Sequence, residues 1–196
     1  RKIEHVLDLA GFAPRSHDAR ALINILETFP RDELFQVTED YLLRVALGVL
    51  HLQQRPRVAL FVRRDDFDRF VSCLVYVPRD RFTTELRLTI QAILERAFAG
   101  TVTAHFNQVT DAPLARLQVY LRTSPDDVPE HDIGDVEEEI VAACRSWADQ
   151  LLQALTVGRG EEEGRRLLGR YADAFPPSYR ERFSAGHAVA DISEIE

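Results

Sequence analysis

Residues Arg57 to Gly100, RVALFVRRDDFDRFVSCLVYVPRDRFTTELRLTIQAILERAFAG, determine the fold class of this chain. Residues 57–63 are predicted to form a strand, with Val58, Leu60 and Val62 on one face and Ala59 and Phe61 on the other. Residues 70–77 are apolar on both faces except at Ser72, which predicts a strand in the middle of a sheet. The polar segment RRDDFDR between the two strands is typical of a hairpin connection.

A helix is predicted to follow the second strand, which Pro78 ends. Thr83 or Thr84 supplies the N-cap. Gly100 is expected in the C′ position of this helix, where glycine is favoured because the backbone adopts a positive φ. The apolar stripe of the helix consists of Leu86, Ile90, Ile93, Leu94, Ala97 and Phe98.

Two more strands are predicted, at residues 101–109 and 114–122, both with the period-two alternation of a sheet that has one wet face. In the first of them Phe106 belongs to the apolar set. The order ββαββ predicts an α+β fold, a four-stranded antiparallel sheet with a helix packed on one side. This plan is close to the ferredoxin-like arrangement, particularly if the second N-terminal helix covers the same face of the sheet.

Helical segments are predicted on either side of this sheet. Residues 1–56 form an N-terminal helical segment, with Ser16 and Thr38 as N-caps, and residues 57–123 form the α+β domain. The polar, proline-containing residues 124–134 are predicted to be a linker. A helical motif follows over residues 135–196 and opens with one long helix, whose apolar stripe is Val136, Ile140, Ala143, Cys144, Trp147, Leu151 and Leu155.

Three blocks of this sequence resemble the regulatory half that precedes the catalytic domain in the very large bacterial NAD-dependent glutamate dehydrogenases. The blocks are FVRRDDFDRFVSCLVYVPRDRFTTELR (residues 61–87), SHDARALINILETFPRDELFQ (residues 16–36) and RYADAFPPSYRERFSAGHAVADI (residues 170–192). The resemblance implies an ACT-like module followed by a helical motif. It also implies a bacterial, cytoplasmic, oligomeric enzyme that converts glutamate to 2-oxoglutarate and ammonia with NAD.

The family's reaction is not expected to take place on this segment, because glutamate dehydrogenases rely on active-site lysines and the only lysine here is Lys2. There is also no GxGxxG dinucleotide motif. We therefore predict no catalytic residue, no cofactor-binding residue and no metal site; NAD belongs to the parent enzyme. The chain begins at Arg1, so it is expected to be an excised piece of a longer protein.

The net charge of −8 argues against a nucleic-acid partner. No apolar run reaches the length of about 18 residues that a membrane helix needs. The expected partners are other domains and subunits of the same enzyme, with an amino-acid effector as a further possibility. Three roles remain open: a regulatory and architectural segment, an ACT-like amino-acid sensor, or a purely structural oligomerisation domain.

The densest group of charges is the candidate effector or interface patch. It consists of Arg63, Arg64, Asp65, Asp66, Asp68 and Arg69. Adjacent arginines can hold a carboxylate bidentately. The alternative is a solvated hairpin tip whose ion pairs contribute under about 1 kcal/mol each. A standard ACT ligand loop contains glycine, whereas this chain has none between Gly48 and Gly100.

Two further features have a structural interpretation and a functional one. PRDELF (residues 30–35) and PRDRF (residues 78–82) are interpreted as helix-boundary turns, with docking of neighbouring domains as the alternative. Cys73 and Cys144 are predicted to be small core residues, because each has apolar neighbours.

Overall fold

The computed structural model describes residues 2–13, 15–65, 67, 69–124, 129 and 132–196. Its centre is a four-stranded, fully antiparallel sheet with the order β1-β2-β4-β3. The strands are β1 (Ala59–Arg64), β2 (Phe70–Pro78), β3 (Thr101–Gln108) and β4 (Leu114–Arg122). The predicted α+β class is confirmed.

One face of the sheet is covered by α5 (Thr84–Ala97). This face carries Val71, Cys73, Val75 and Val77 of β2 and Ala115, Leu117, Val119 and Leu121 of β4, all inaccessible to solvent. From α5, Ile90 and Leu94 are equally buried. The alternation read from β4 is therefore confirmed.

A second helix, α6 (Ile133–Ala143), lies beside α5 and reaches β1. Arg96 of α5 forms an ion pair with Glu139 of α6. The backbone N–H of Leu60 in β1 donates to the Glu137 carboxylate over 2.8 Å. The connectivity is thus ββαββα, which is βαββαβ with its last strand placed first.

The N-terminal helices pack on the opposite face of the sheet. They are α1 (Lys2–Ala10), α2 (His17–Glu27), α3 (Arg31–Gln36) and α4 (Glu39–Gln54). Leu22, Leu26 and Leu42 share a core cluster with Leu74 and Tyr76 of β2. The condition that the second N-terminal helix covers the α5 face is not met, because Leu42 of α4 lies in the cluster with Leu74 and Tyr76 on the opposite face.

The predicted N-caps are confirmed at Ser16, Thr38 and Thr83, each of which accepts a hydrogen bond from a backbone N–H of the following first turn. The short helix α3 was interpreted only as a turn. It begins after Pro30, which has no N–H to leave unsatisfied.

The end of α5 differs from the prediction for Gly100. The residue with a positive φ is Ala99, at +46°. The Gly100 N–H donates to the Glu95 carbonyl over 3.1 Å, which completes a Schellman motif one residue earlier than expected, with Ala99 at C′ and Gly100 at C″. Glycine is required at 100 for space, since a Cβ there would lie 2.9 Å from the Arg122 carbonyl oxygen.

Two strand and helix predictions are corrected. Phe106 is expected on the buried face of β3 with Val102, but it is 58% exposed. A register shift between Val102 and Ala104 places Phe106 opposite Gln118, on the face of the sheet away from α5. The long helix predicted from residue 135 is two helices, α6 and α7 (Trp147–Arg159). Ser146 and Asp149 form a capping box that starts α7.

The chain divides into two compact units, residues 1–140 and 141–196. The second unit contains α7, α8 (Glu161–Tyr171), α9 (Pro177–Arg182) and α10 (Ala185–Ile195). Its core consists of Leu151, Leu155, Leu167, Tyr171, Phe175, Ala185, Ala188 and Ile192. The division into domains at 56/57, 123/124 and 134/135 stays a prediction.

Two further observations concern the cysteines and the helix lengths. Cys73 and Cys144 are buried, as predicted. Over the described residues, every helix is too short or too polar to cross a membrane.

Ala99→Gly is expected to stabilise the fold by about 1 kcal/mol, because glycine adopts the left-handed conformation without the steric cost that a Cβ brings. The urea midpoint, followed by circular dichroism, measures the change. Gly100→Ala should lower the midpoint, since the added methyl group meets the Arg122 carbonyl. Equal effects of the two substitutions would contradict this assignment of the motif.

Candidate functional site

A row of polar side chains crosses the sheet on the face that the N-terminal helices cover. Arg63 of β1 pairs with Ser72 of β2, and Ser72 pairs with Tyr120 of β4. The row ends at Ala104 of β3, which pairs with Tyr120. Cross-strand partners in register point to the same face, so three polar groups stand side by side among apolar residues.

Glu33 of α3 lies over this row. Its side chain is 1% exposed. The Arg63 guanidinium donates to both of its oxygens, from Nε over 2.8 Å and from Nη2 over 3.0 Å. Ser72 Oγ donates to Glu33 Oε1 over 2.6 Å. Glu33, Arg63, Ser72 and Tyr120 are called the Glu33 network below.

The electrostatics of Glu33 are a balance of opposed effects. Burial would raise the pKa of the Glu33 carboxyl, because charge is poorly solvated inside the protein. The hydrogen bonds from Arg63 and Ser72, together with the Arg63 charge and a hydrogen bond from Tyr120, outweigh burial and hold that pKa below its usual value. Glu33 is therefore ionised at neutral pH although it is buried.

Its neighbours shift in the complementary direction. The hydrogen bonds to Glu33 raise the pKa of Arg63, against the effect of burial. Burial raises the pKa of the Tyr120 hydroxyl, and the nearby Glu33 charge raises it further. Tyr120 thus remains a neutral donor, and its hydroxyl also accepts from Gln118 Nε2 over 2.5 Å.

The structure does not assemble the six charged residues of the predicted patch into one group. Arg63 belongs to the Glu33 network, with its side chain 14% exposed. Arg64 Nη2 donates to the Pro129 carbonyl over 2.9 Å. Arg69 Nε pairs with Asp65 over 3.1 Å. Asp66 and Asp68 lie outside the described residues.

Beside the Glu33 network is an open cleft of about 440 Å³, called the Tyr120 cleft below. Its walls come from α3 and from one end of β2, β3 and β4. The lining residues are Asp32, Gln36, Arg69, Phe70, Thr103, Ala104, Tyr120 and Arg122. This arrangement can bind a ligand through charge and ring contacts.

Sequence reasoning missed Glu33 and assigned its segment, residues 30–35, to a turn. One signal existed: the alternation of β1 places Arg63 on the same face as the apolar Ala59 and Phe61, and Ser72 is the only polar residue of β2. An inward-facing arginine needs a carboxylate. The sequence does not indicate which of the many acidic residues supplies it.

The lone lysine has a structural position. Lys2 Nζ donates to the carbonyls of Leu34, over 3.0 Å, and Val37, over 2.7 Å. It thereby satisfies carbonyl groups at the C-terminal end of α3. The ammonium group is held at the helix that carries Glu33.

The chain offers no fit for NAD at its one glycine-rich turn. Gly158, Gly160 and Gly164 have the spacing GxGxxxG and follow a helix, where a dinucleotide motif follows a strand. Glu161, in the first turn of α8, adds negative charge where a pyrophosphate would have to bind. Within the residues described, no group of three His, Cys, Asp or Glu side chains could hold a metal ion.

Glu33→Gln is expected to lower the free energy of unfolding by about 3 kcal/mol, because the variant leaves Arg63 unpaired and largely buried. Urea unfolding at neutral pH measures the loss. In the double variant Glu33→Gln/Arg63→Gln, part of the stability should return, since no isolated charge remains. If the effects of the two single substitutions simply add, the ion pair is not the cause.

The free energy of unfolding of the chain is expected to depend on pH through the ionisation of Glu33. Its pKa is lowered by folding, so the unfolded state binds the proton more tightly. The contribution is complete above the ordinary carboxyl value of 4.5 and is lost as the pH falls through the lower folded-state value. The difference in unfolding free energy between wild type and Glu33→Gln should therefore shrink in acid. For Glu27→Gln, at an exposed carboxylate, it should stay near zero.

Comparison with protein families places three models along this chain. They are "Glutamate dehydrogenase, helical motif 1" over residues 1–55, "Glutamate dehydrogenase, ACT2 domain" over residues 59–148 and "Glutamate dehydrogenase, helical motif 2" over residues 154–196. The Glu33 network therefore joins helical motif 1, through α3, to the ACT2 domain.

Curated relatives agree with these models over the whole chain. The NAD-specific glutamate dehydrogenases of Halomonas elongata and Pseudomonas aeruginosa are 45% and 36% identical over 195 and 194 residues, which is 100% and 99% of this chain. That of Mycobacterium tuberculosis is 32% identical over 207 aligned residues. The chain spans 12% to 13% of the length of these relatives. With the three models end to end along its length, the chain belongs to the family of NAD-specific glutamate dehydrogenases, of which it carries helical motif 1, the ACT2 domain and helical motif 2.

Proposed function

We propose that this chain is a non-catalytic regulatory segment of an NAD-dependent glutamate dehydrogenase, and that it contacts other domains or subunits of that enzyme through the free edge of its sheet. The parent reaction would be the oxidation of glutamate by NAD to 2-oxoglutarate and ammonium, in the cytoplasm. The catalytic and NAD-binding residues would lie elsewhere in the longer protein.

The observation that carries the proposal is the state of β3. This strand forms one edge of the sheet, and residues 101–109 contain no Lys, Arg, Asp, Glu or Pro. Natural sheets protect their edges with such residues, because an unguarded edge pairs with other chains. Phe106 and Val109 add apolar surface, at 58% and 53% exposure. An edge with this composition favours a partner that covers it.

The other edge strand of the same sheet, β1, carries the charged residues Arg63 and Arg64. The Leu60 N–H of β1 donates to Glu137 of α6, and the Arg64 side chain donates to the Pro129 carbonyl. On β3, the Val102 N–H likewise donates to Glu95 Oε1 at the start of the strand. The two edges therefore differ in their side chains rather than in their backbone bonds. The uncharged β3, with its exposed Phe106 and Val109, is the edge that favours a partner.

The same proposal accounts for the position of Lys2. Glutamate dehydrogenases need lysines in their active site, and the one lysine of this chain is bonded to the C-terminal end of α3. Since this lysine has a structural position, the proposal assigns the segment to contact with other domains or subunits and to its regulation, rather than to catalysis.

Amide hydrogen exchange on residues 104–108 is expected to slow by at least roughly tenfold in the full-length enzyme compared with this chain alone, because a partner strand or surface protects the edge. The amides of β2 serve as the internal control, since this strand is paired on both sides within the sheet. Equal exchange rates of the β3 amides in both samples would contradict the proposal that β3 is the contact edge.

Phe106→Lys in the full-length enzyme should weaken assembly or change its regulation, because a charge on this surface opposes burial. Sedimentation velocity and glutamate-dependent NADH formation measure the two effects. Leu88→Lys is the matched control: Leu88 is 54% exposed on α5, on the far side of the sheet. Identical behaviour of both variants would contradict a specific role for β3.

A further inference from the structure

A second arginine faces the N-terminal helices from the sheet. Arg116 of β4 pairs with Tyr76 of β2 and with Gln108 of β3, so these three side chains form another row across the sheet. This row is an even number of residues along β2 and β4 from the Glu33 network, so both rows point to the same face. Arg116 Nη1 donates to the Thr28 carbonyl over 2.8 Å, and the guanidinium also bonds to the Tyr76 hydroxyl.

Arg116 and Arg63 differ in the charge of their partners. Arg63 donates to both oxygens of the Glu33 carboxylate. In the part of the chain that the structure describes, Arg116 bonds only to neutral oxygens, and it forms no ion pair. A guanidinium bonds more strongly to a carboxylate than to a neutral acceptor. The second inward-facing arginine therefore lacks the kind of partner that the first one has.

A cavity of about 270 Å³ lies beside Arg116, between α2, α4 and the hairpin that joins β3 to β4; it is called the Arg116 cavity below. The floor of the cavity is apolar and buried, and consists of Ile25, Val49, Tyr76 and Leu114. Among the described residues that line the cavity, Arg116 is the only charged side chain apart from the weakly acidic Tyr76, and none is a carboxylate. The cavity thus combines an apolar floor with one positive charge.

We propose that the Arg116 cavity binds a small organic acid, with a carboxylate, a short apolar body and no ammonium group. The carboxylate would bond to the Arg116 guanidinium, whose planar donors match its two oxygens. The apolar body would cover the floor, which is stabilised when a ligand removes it from water. The volume lies just below the range of about 300–1,000 Å³ that drug-sized ligands occupy, so the ligand is small.

The rim of the cavity determines which acids are excluded. Its side-chain amides belong to Asn24, Gln53 and Gln108. They are neutral, and within the described chain they form no hydrogen bonds of their own. An ammonium group would find only such neutral oxygens, together with repulsion from Arg116, and would lose its hydration. A free amino acid is therefore a poorer ligand for this cavity than the acid without the ammonium group.

The position of the cavity links it to regulation. Its walls come from α2 and α4, within helical motif 1, and from the strands of the ACT2 domain. A ligand that contacts both parts stabilises the arrangement in which they are packed together, because it binds only when both walls are in place. This inference does not depend on the contact edge of β3, and either proposal can fail alone.

The test is calorimetric titration of this chain with 4-methylpentanoate and three analogues. We expect saturable binding of 4-methylpentanoate at millimolar concentration. Binding should be lost with 4-methylpentanamide, which lacks the charge, and strongly weakened with acetate, which lacks the apolar body. L-Leucine, which adds an ammonium group to the same skeleton, should bind more weakly. Equal binding of leucine and 4-methylpentanoate would overturn the proposal, as would the absence of heat with every acid.

Two variants locate the site in different ways. Arg116→Gln should weaken the binding of 4-methylpentanoate roughly tenfold or more, because it removes the charged hydrogen bonds. Ala112→Trp should also abolish binding, since Ala112 lines the cavity from its exposed side and the larger ring fills the space. The second variant leaves Arg116 and its bonds to Thr28 and Tyr76 in place, so its melting temperature should stay unchanged.

Each variant has a matched control at an exposed position that does not line the cavity. Arg182→Gln removes an arginine from α9, and Ala92→Trp adds the same ring to α5 on the other face of the sheet. Both controls should bind 4-methylpentanoate as the wild type does. Binding that survives both Arg116→Gln and Ala112→Trp assigns the acid to another surface and overturns the proposal.

Discussion

The ion pair between Glu33 and Arg63 is the constraint on which the rest of the N-terminal unit depends. Two charges removed from water are stable only when their hydrogen-bonding groups are satisfied, and here Ser72 and Tyr120 complete that set. The partners come from α3 and from three different strands, so the pair forms only when helical motif 1 sits on the sheet in one register. A shift of α3 would break these hydrogen bonds and leave the buried charges of Glu33 and Arg63 unpaired among apolar side chains. The pair thus contributes specificity of packing more than net stability.

The sequence predicted those elements whose causes are local. Ser16, Thr38 and Thr83 are caps because each bonds to its own first turn, and Pro78 ends β2 through its own ring. The failures have non-local causes. Gly100 is a glycine because the chain passes the Arg122 carbonyl, a contact with the end of β4 that no local pattern records. The role of Glu33 also has a non-local cause, since its partner Arg63 is thirty positions away. From the sequence, several other acidic side chains could equally pair with that arginine.

The break between α6 and α7 is a different kind of failure, because its signal was local and was overridden. The apolar stripe continues from Cys144 to Trp147, which favours one helix, while Ser146 and Asp149 have the spacing of a capping box. The apolar periodicity predicts one helix and the capping box predicts a second helix start, and the structure has two helices. The backbone hydrogen bonds that a helix interior would have used are instead satisfied by the side chains of Ser146 and Asp149.

The Glu33 network and the contact edge β3 lie in one row of side chains across the sheet. The Glu33 network runs from β1 to Tyr120, and its last position, Ala104, belongs both to the Tyr120 cleft and to the free edge β3. A partner that covers β3 can shift the population of two states only by its difference in affinity between them. The Glu33–Arg63 pair fixes the position of α3 on the sheet, because any other position leaves a buried charge unpaired. Regulation through this segment therefore requires that the edge strand, rather than the helix, be the element with two states.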